Sequence, residues 1–326
     1  MKKHNIIAMA LTSLMALPVI AQDSTPAVGD ILQGINMFTP EEGDPAYKVK
    51  ANEKYGTQWG VDMAYGLWNT EKVSDVKRHN NLALLHAQLN QRLIEDKANG
   101  GTWLRVEFSG SWGLDRESAQ SDTFFTEAYA TASGLHADAM GPHEGIFPEV
   151  ALMQYFAGKR ACLIAGMVNL TNYFDAVSIA NDSFSSFTND GFVNSTILPL
   201  VDSNIGGILQ VELNRNNYMM VAVSRTGCDS GYNPFNSDYC DGYAVVGEYG
   251  HIFADGAATL RINPFYTSTD VDMDDGTGER RRQNAGLVAS IEYTPCDPLT
   301  IYSRAGFAAK QYLSNSCLLY TSDAAD

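Results

Sequence analysis

Beyond its first 21 residues the chain lacks any uninterrupted apolar run of the roughly 20 residues that a membrane helix needs, because Asp, Asn, Gln, Arg or Gly recurs every few positions. A helical membrane protein is thereby excluded, leaving a soluble protein or one that crosses a membrane as strands. Charge is scarce, at 18% of residues against the roughly 25% usual in soluble domains. Basic charge is scarcer still: 22 Lys and Arg face 38 Asp and Glu, and a net charge of −16 argues against a nucleic-acid partner. Cysteine is limited to five, with no CxxC and no HExxH, so no zinc signature is present and no metal or other cofactor is expected.

What is present points to strands in an exported protein. Gly 28, Tyr 16 and Phe 14 are generous. Met1–Ala21 carries Lys2 and Lys3, a short apolar run from Ile6 to Ala16, and Val19-Ile20-Ala21 before Gln22. That is the pattern of a secretory signal cleaved after Ala21; the apolar run is too short for a membrane anchor. Cys228 and Cys240 bracket the turn-rich DSGYNPFNSDY, a loop that a disulfide could staple in an oxidising compartment. Free thiols or a metal remain the competing readings there. Cys162 lies in an apolar strand segment.

Residues 22–58 are rich in Pro, Gly and charge without clear periodicity and read as a periplasmic lead-in. From residue 59 onward hydrophobicity alternates with period two, not 3.6. In Thr102–Trp112, Leu104, Val106, Phe108 and Trp112 share one face, and Arg105, Glu107, Ser109 and Ser111 the other. Leu82–Leu93, Ile205–Asn214, Ala257–Phe265, Asn284–Tyr293 and Leu299–Phe307 repeat the pattern. Further strands are expected at Trp59–Trp68, Phe124–Ala132, Val150–Phe156, Arg160–Val168, Tyr218–Arg225 and Tyr243–Phe253, about twelve in all. Each approaches the roughly ten residues of a tilted membrane strand, longer than the 5–6 common in sandwiches. Trp59, Trp68, Trp112, Tyr218, Tyr243 and Tyr293 lie at or near strand ends, where interfacial girdles belong. The pattern therefore predicts an all-β fold, a transmembrane antiparallel β-barrel of porin type, against a soluble sandwich.

Arg160–Pro199 stands apart. After a short apolar strand it becomes polar yet keeps Tyr173, Phe174, Phe184, Phe187 and Phe192, a mixture that favours a segment folded back inside a pore. Within it, GMVNLTNYFDAVSIANDSFSSFTNDGF (Gly166 to Phe192) resembles a stretch of bacterial carbohydrate-selective porins of the OprB type. The matching elements are Gly166, Tyr173-Phe174-Asp175, Ala180-Asn181 and Phe187-Thr188-Asn189. Asn81–Leu93 with Gly100-Gly101-Thr102 looks like the family's first long strand and hairpin, and Leu198–Leu209 like its re-entry into a strand. The likeness covers most of Asn80 to Phe307. Two departures stand out: the expected Trp-Gly-Gly and Arg pattern is reduced to Gln58-Trp59-Gly60, and the chain supplies fewer strands than the family's barrel needs. Its end, CLLYTSDAAD, does not continue the strand pattern. Residues 59–316 therefore read as a partial, C-terminally incomplete barrel domain and residues 317–326 as a non-native tail.

The resemblance implies passive diffusion of saccharides through a water-filled barrel, with outer-membrane lipid as its surroundings and no catalytic group. Candidate lining residues on the polar faces are Arg92, Arg105, Glu107, Glu127, Tyr129, Glu212, Arg225, Arg261, Glu292, Tyr302 and Arg304, with Tyr173, Phe174 and Asp175 at a constriction. For any one of the charges, pairing across neighbouring strands is an equally good account. The alternative function is a secreted soluble β-protein: a glycan-binding module, or a hydrolase using an acid pair such as Glu107 and Glu127. Asp270–Glu279 (DVDMDDGTGE) fails the helix–loop–helix calcium spacing, since Gly276 is seventh and Arg281 twelfth; it reads as a solvated loop whose acids Arg280, Arg281 and Arg282 balance.

Overall fold

Period-two alternation, sustained over most of the chain, builds a single sheet. The computed structural model describes residues 31–32, 44–69, 79–113, 144–178, 194–195, 197–201, 203–226, 242–272, 280–296, 299–309 and 318–323. Twelve strands pair in chain order: β1 (Thr57–Asn69), β2 (His79–Ile94), β3 (Thr102–Gly113), β4 (Glu144–Phe156), β5 (Ala161–Val168), β6 (Asn204–Asn214), β7 (Asn217–Thr226), β8 (Gly242–Phe253), β9 (Ala258–Asp272), β10 (Arg280–Cys296), β11 (Leu299–Ala308) and β12 (Leu318–Asp323). Every pairing is antiparallel between neighbours. Among the described residues nothing pairs β1 with β12, so the sheet is open.

The sheet is inside-out by the standard of a soluble protein. Met63 is 80% exposed, Phe307 61% and Val223 52%, whereas Glu149 and Asn263 are 0% exposed. Leu152, Leu163, Leu209, Met219 and Leu287 join the exposed face; Gln210, Glu212, Glu248, Arg261 and Glu292 join the buried one. Since alternate residues point to opposite faces, the polar parity of strands such as β3, β9, β10 and β11 has become the interior.

Curvature follows from what the interior holds. Asn172, in the chain after β5, donates to Glu107 of β3 at 2.6 Å, while Asp175 lies 2.8 Å from Arg304 of β11. In a flat sheet β3 and β11, eight strand spacings apart, would be separated by about 38 Å. Three residues of chain span only about 11 Å. The sheet therefore curls into a trough around this segment.

Connections alternate in length. Residues 95–101, 157–160, 215–216, 254–257 and 297–298 close one end; 114–143, 169–203 and 227–241 are at the other. At the short-turn end the lead-in, expected to be without periodicity, contains a helix, α1 (Ala46–Tyr55), which stops where Gly56 takes a φ of 63° and returns its N–H to Asn52 O at 2.9 Å. The helix leaves no periodic apolar pattern in the sequence because it buries none of its own residues. It docks instead by stacking Tyr47 on Trp59, with ring centroids 6.3 Å apart, and by placing Lys48 Nζ 5.0 Å over the same ring.

Three further expectations are changed. Residues 318–323, expected to depart from the strand pattern, pair with β11 from Leu299↔Asp323 to Arg304↔Leu318; the unpaired N–H and C=O groups of an edge strand template any extended neighbour. Part of the acidic run belongs to a strand, since β9 continues to Asp272 and sets Asp270 opposite Arg282 and Asp272 opposite Arg280. Tyr218, expected in an interfacial girdle, is buried. Opposite it lies Gly250, where a Cβ would stand 2.0 Å from the Tyr218 ring; the missing side chain lets the ring lie down inside the sheet. The strand expected at Phe124–Ala132 lies outside the described residues.

Candidate functional site

The candidate site is built where the segment after β5 meets the inner wall. Asn169 opens a single 3-10 turn, Leu170–Asn172, by accepting the Thr171 N–H at 3.1 Å. The turn leads directly into Tyr173, Phe174 and Asp175, all buried. Asp175 takes a φ of 55°, a left-handed conformation costly for a residue with a Cβ and sustained only when the surroundings fix it.

Four residues of this segment offer donors to four glutamates on four strands. Asn172 Nδ2 donates to Glu107 of β3 at 2.6 Å and to Glu149 of β4 at 3.2 Å. The Tyr173 hydroxyl donates to Glu149 Oε1. The Asp175 N–H donates to Glu248 of β8 at 2.8 Å. The Ser178 N–H donates to Glu292 of β10 at 3.1 Å, and the Ser178 hydroxyl reaches the same oxygen. Buried carboxylates persist only when paired and hydrogen-bonded, and here the wall supplies acceptors while the segment supplies donors.

Arginines and other polar side chains complete two clusters. On β3 and β4, Arg105 Nε lies 3.0 Å from Glu149 Oε2, its guanidinium 5.7 Å over the Tyr173 ring, and His86 of β2 meets Glu107 at 2.7 Å. On β7 to β11, Arg304 pairs with Asp175 at 2.8 Å and Arg261 with Glu292 at 3.1 Å. Glu248 also accepts from the Tyr218 hydroxyl at 2.7 Å and from Asn263 Nδ2 at 2.7 Å. The returning chain joins in: the Ser195 N–H donates to Asp175 Oδ2 at 2.8 Å. Ile197 packs over Gly306, where a Cβ would stand 2.2 Å from its Cδ1. Burial pushes the Asp175 carboxyl above its ordinary range, against the pull of Arg304 and the Ser195 N–H. Burial likewise holds the Tyr173 phenol well above 10.

The structure thus brings Arg105, Glu107, Tyr173, Phe174, Asp175, Arg261, Glu292, Tyr302 and Arg304 to the interior, with the Arg304 guanidinium 5.8 Å over the Tyr302 ring. Glu212 is buried near the short-turn end of β6, and Arg92 is half-buried at that end of β2, 5.8 Å over Trp103. Arg225 was expected inward and is not: it shares its face with the exposed Val221 and Val223, while Ser224 and Thr226 point in. One step of parity separates the two faces, and at a strand end a long Arg stem can run along apolar surface to reach water. Glu127, Tyr129, Cys228 and Cys240 lie outside the described residues.

Reading the sequence missed Glu149, Glu248, Asn172, Ser178 and His86. Glu149 was hidden by Pro148, which made β4 seem to start at Val150; the ladder to β3 shifts register there, and such irregular positions are where a strand tolerates Pro. Glu248 carries a legible signal, a lone acid on the parity of Ala244 and Val246. Among the described residues no group of three His, Cys, Asp or Glu side chains is placed to hold a metal ion.

A polar interior, an apolar exterior and an inward-folded segment define a porin-type transmembrane β-sheet, here an incomplete barrel. The particular fold is that of an OprB-type porin. The high-pH structure of Pseudomonas putida OprB superposes with a TM-score of 0.58, 12% identity, 81% of this chain covered and 69% of that one. A triple mutant of the Rhodopseudomonas blastica porin is also found, at a TM-score of 0.39 and 8% identity, with 78% of this chain and 85% of that one covered. No family model and no curated protein matches the sequence.

Proposed function

We propose that the chain is an outer-membrane porin through which saccharides diffuse passively, and that the trough is the wall of its water-filled path. The observation that carries this reading is the reversed polarity: carboxylates and guanidinium groups are buried on one face of the sheet while Val, Leu, Met and Phe are exposed on the other. Lipid accepts the second face, and a solute path uses the first. A secreted soluble β-protein would leave Val61, Met63, Leu152, Leu163, Val221 and Phe307 together in water.

Paired Arg and Glu groups, with Asn and Tyr beside them, present alternating donors and acceptors to hydroxyls, and diffusion requires that such binding stay weak. Arg105, Glu107, Arg261, Glu292, Tyr302 and Arg304 line this path, and Tyr173, Phe174 and Asp175 narrow it. No step of chemistry is needed. In this reading residues 1–21 direct export, the short turns face the periplasm, and Cys228 and Cys240 staple an external loop. Liposome swelling in a series of neutral sugars tests the function. Swelling with a size cut-off supports it; a protein that passes ions but excludes every sugar removes the saccharide part, and one that stays in solution without detergent removes the porin.

A further inference from the structure

At the short-turn end, α1 and the adjoining ends of β1 to β4 line a half-open cavity of about 430 Å³, within the range that takes small organic ligands. Its charged lining balances, with Glu53, Glu95 and Asp96 against Arg92, Lys97 and Lys159. Balanced charge gives an ion no net attraction and so suits a neutral ligand. The acids are also engaged close by: Asp96 Oδ1 accepts the Ala98 and Asn99 N–H groups at 3.0 and 3.1 Å, and Lys97 Nζ lies 3.8 Å from Glu95.

The uncharged lining is of a different kind. Trp103 is fixed by its indole N–H to Gly100 O at 2.8 Å and lies beneath the Arg92 guanidinium. Gln58 donates through Nε2 to Asn52 of α1 at 3.1 Å, while its Oε1 is buried with no partner among the described residues. Behind this lining and directly across the β1–β2 ladder from Gln58, Asn90 is buried, and neither of its amide atoms has a partner among the described residues. Such groups are costly to leave unpaired, and a ligand rich in hydroxyls supplies donors and acceptors at once.

We propose that this cavity is a second binding subsite, at the periplasmic exit of the path, for an uncharged polyol of monosaccharide size. The inference rests on the porin reading above. A hydroxyl donates to Gln58 Oε1 as the amide turns toward the cavity, another accepts from Arg92, and the C–H face of the ring lies toward Trp103. The subsite delays a neutral solute at the exit, and a charged analogue of the same size gains nothing from it.

The test uses the full chain in planar bilayers, with D-glucose added on the short-turn side and current fluctuations giving its dissociation constant. Gln58→Ala and Trp103→Phe should each weaken glucose binding about fivefold to tenfold, the equivalent of one lost contact. Arg92→Lys, at a less buried position, gives a third readout if either of those variants fails to fold. Gluconate should bind measurably more weakly than glucose. Liposomes that swell in glucose while all folded variants keep the original constant overturn the subsite and leave the porin intact, as does gluconate binding equal to that of glucose. Liposomes that never swell in glucose overturn both.

Discussion

The inner wall has two characters. On β5 to β8 it is mostly apolar, with Ile164, Ile208, Met220 and Val246 pointing inward beside Gln210, Glu212 and Glu248; on β3 and on β9 to β11 charge dominates, with Arg105, Glu107, Arg261, Glu292 and Arg304 inward beside Phe265 and Val288. The difference tracks the segment after β5. Over the apolar wall, Leu170, Tyr173, Phe174 and Leu198 pack into one cluster with the strand residues, a small core of soluble type inside the trough. Over the polar wall the same segment makes mainly directed contacts, through Asn172, Asp175 and Ser178, with Ile197 packed on Gly306 of β11. Apolar burial therefore supplies the grip, and the charge pairs set the orientation. On the proposed function, solute passes along the polar side, because the apolar side is covered.

The largest expected effect breaks the grip. Phe174 is fully buried in the cluster, and Phe174→Ala should cost about 3–5 kcal/mol in removed contacts and residual cavity. In detergent this should appear as a lowered unfolding temperature, and in bilayers as a larger and noisier conductance. A variant with the original melting temperature and conductance would mean that the segment is held by its polar contacts alone, and the contrast between the two walls would be lost.

These two walls were unequally legible in the sequence. Alternation gave the strands and the polar parity of Arg105, Glu107, Arg261, Glu292 and Arg304, because a two-faced strand writes its faces into every second residue. The aromatic-polar mixture around Tyr173 and Phe174 pointed to an inward segment. Its partners were not legible, because Glu107, Glu149, Glu248 and Glu292 meet it from strands up to 114 positions away, and no local pattern encodes such contacts. Pro148 concealed Glu149, and the helix Ala46–Tyr55 was concealed by burying no apolar stripe of its own. Arg225 misled because a charge near a strand end can sit on either parity.

A smaller effect should come from the orienting side. Asp175→Asn keeps the size of the side chain but removes the charge that Arg304 faces at 2.8 Å. A charge-assisted contact is worth about 2 kcal/mol, less than the aromatic anchor. The variant should melt at a slightly lower temperature and shift ion selectivity, since the Arg304 guanidinium would then face the path without its counter-charge. Combining it with Arg304→Met should recover part of the stability, as expected for coupled neighbours. Additive losses would show that the two side chains touch without depending on each other.

The smallest effect lies outside both walls and tests whether they are insulated from the turns. Asp96 caps the 95–101 turn: its Oδ1 accepts the Ala98 and Asn99 N–H groups, and its Oδ2 accepts Asn99 Nδ2 at 2.8 Å. Those bonds, the Asn99 side chain foremost, hold its carboxyl below the ordinary value of 3.8. A carboxyl depressed in the folded state contributes stability that is complete above 3.8 and is lost as pH falls through its lower folded value. Hydrogen exchange at Ala98 and Asn99 should therefore quicken on acidification through that window, and Asp96→Asn should remove the acid-dependent step. Exchange at Asn172 and Tyr173 should not follow the Asp96 titration, because the segment is anchored on strands β3 to β11 and not on this turn among the described residues. If those amides quicken together with Ala98 in the original protein and lose that step in Asp96→Asn, the short-turn end is coupled to the segment, and the inner walls respond as one unit.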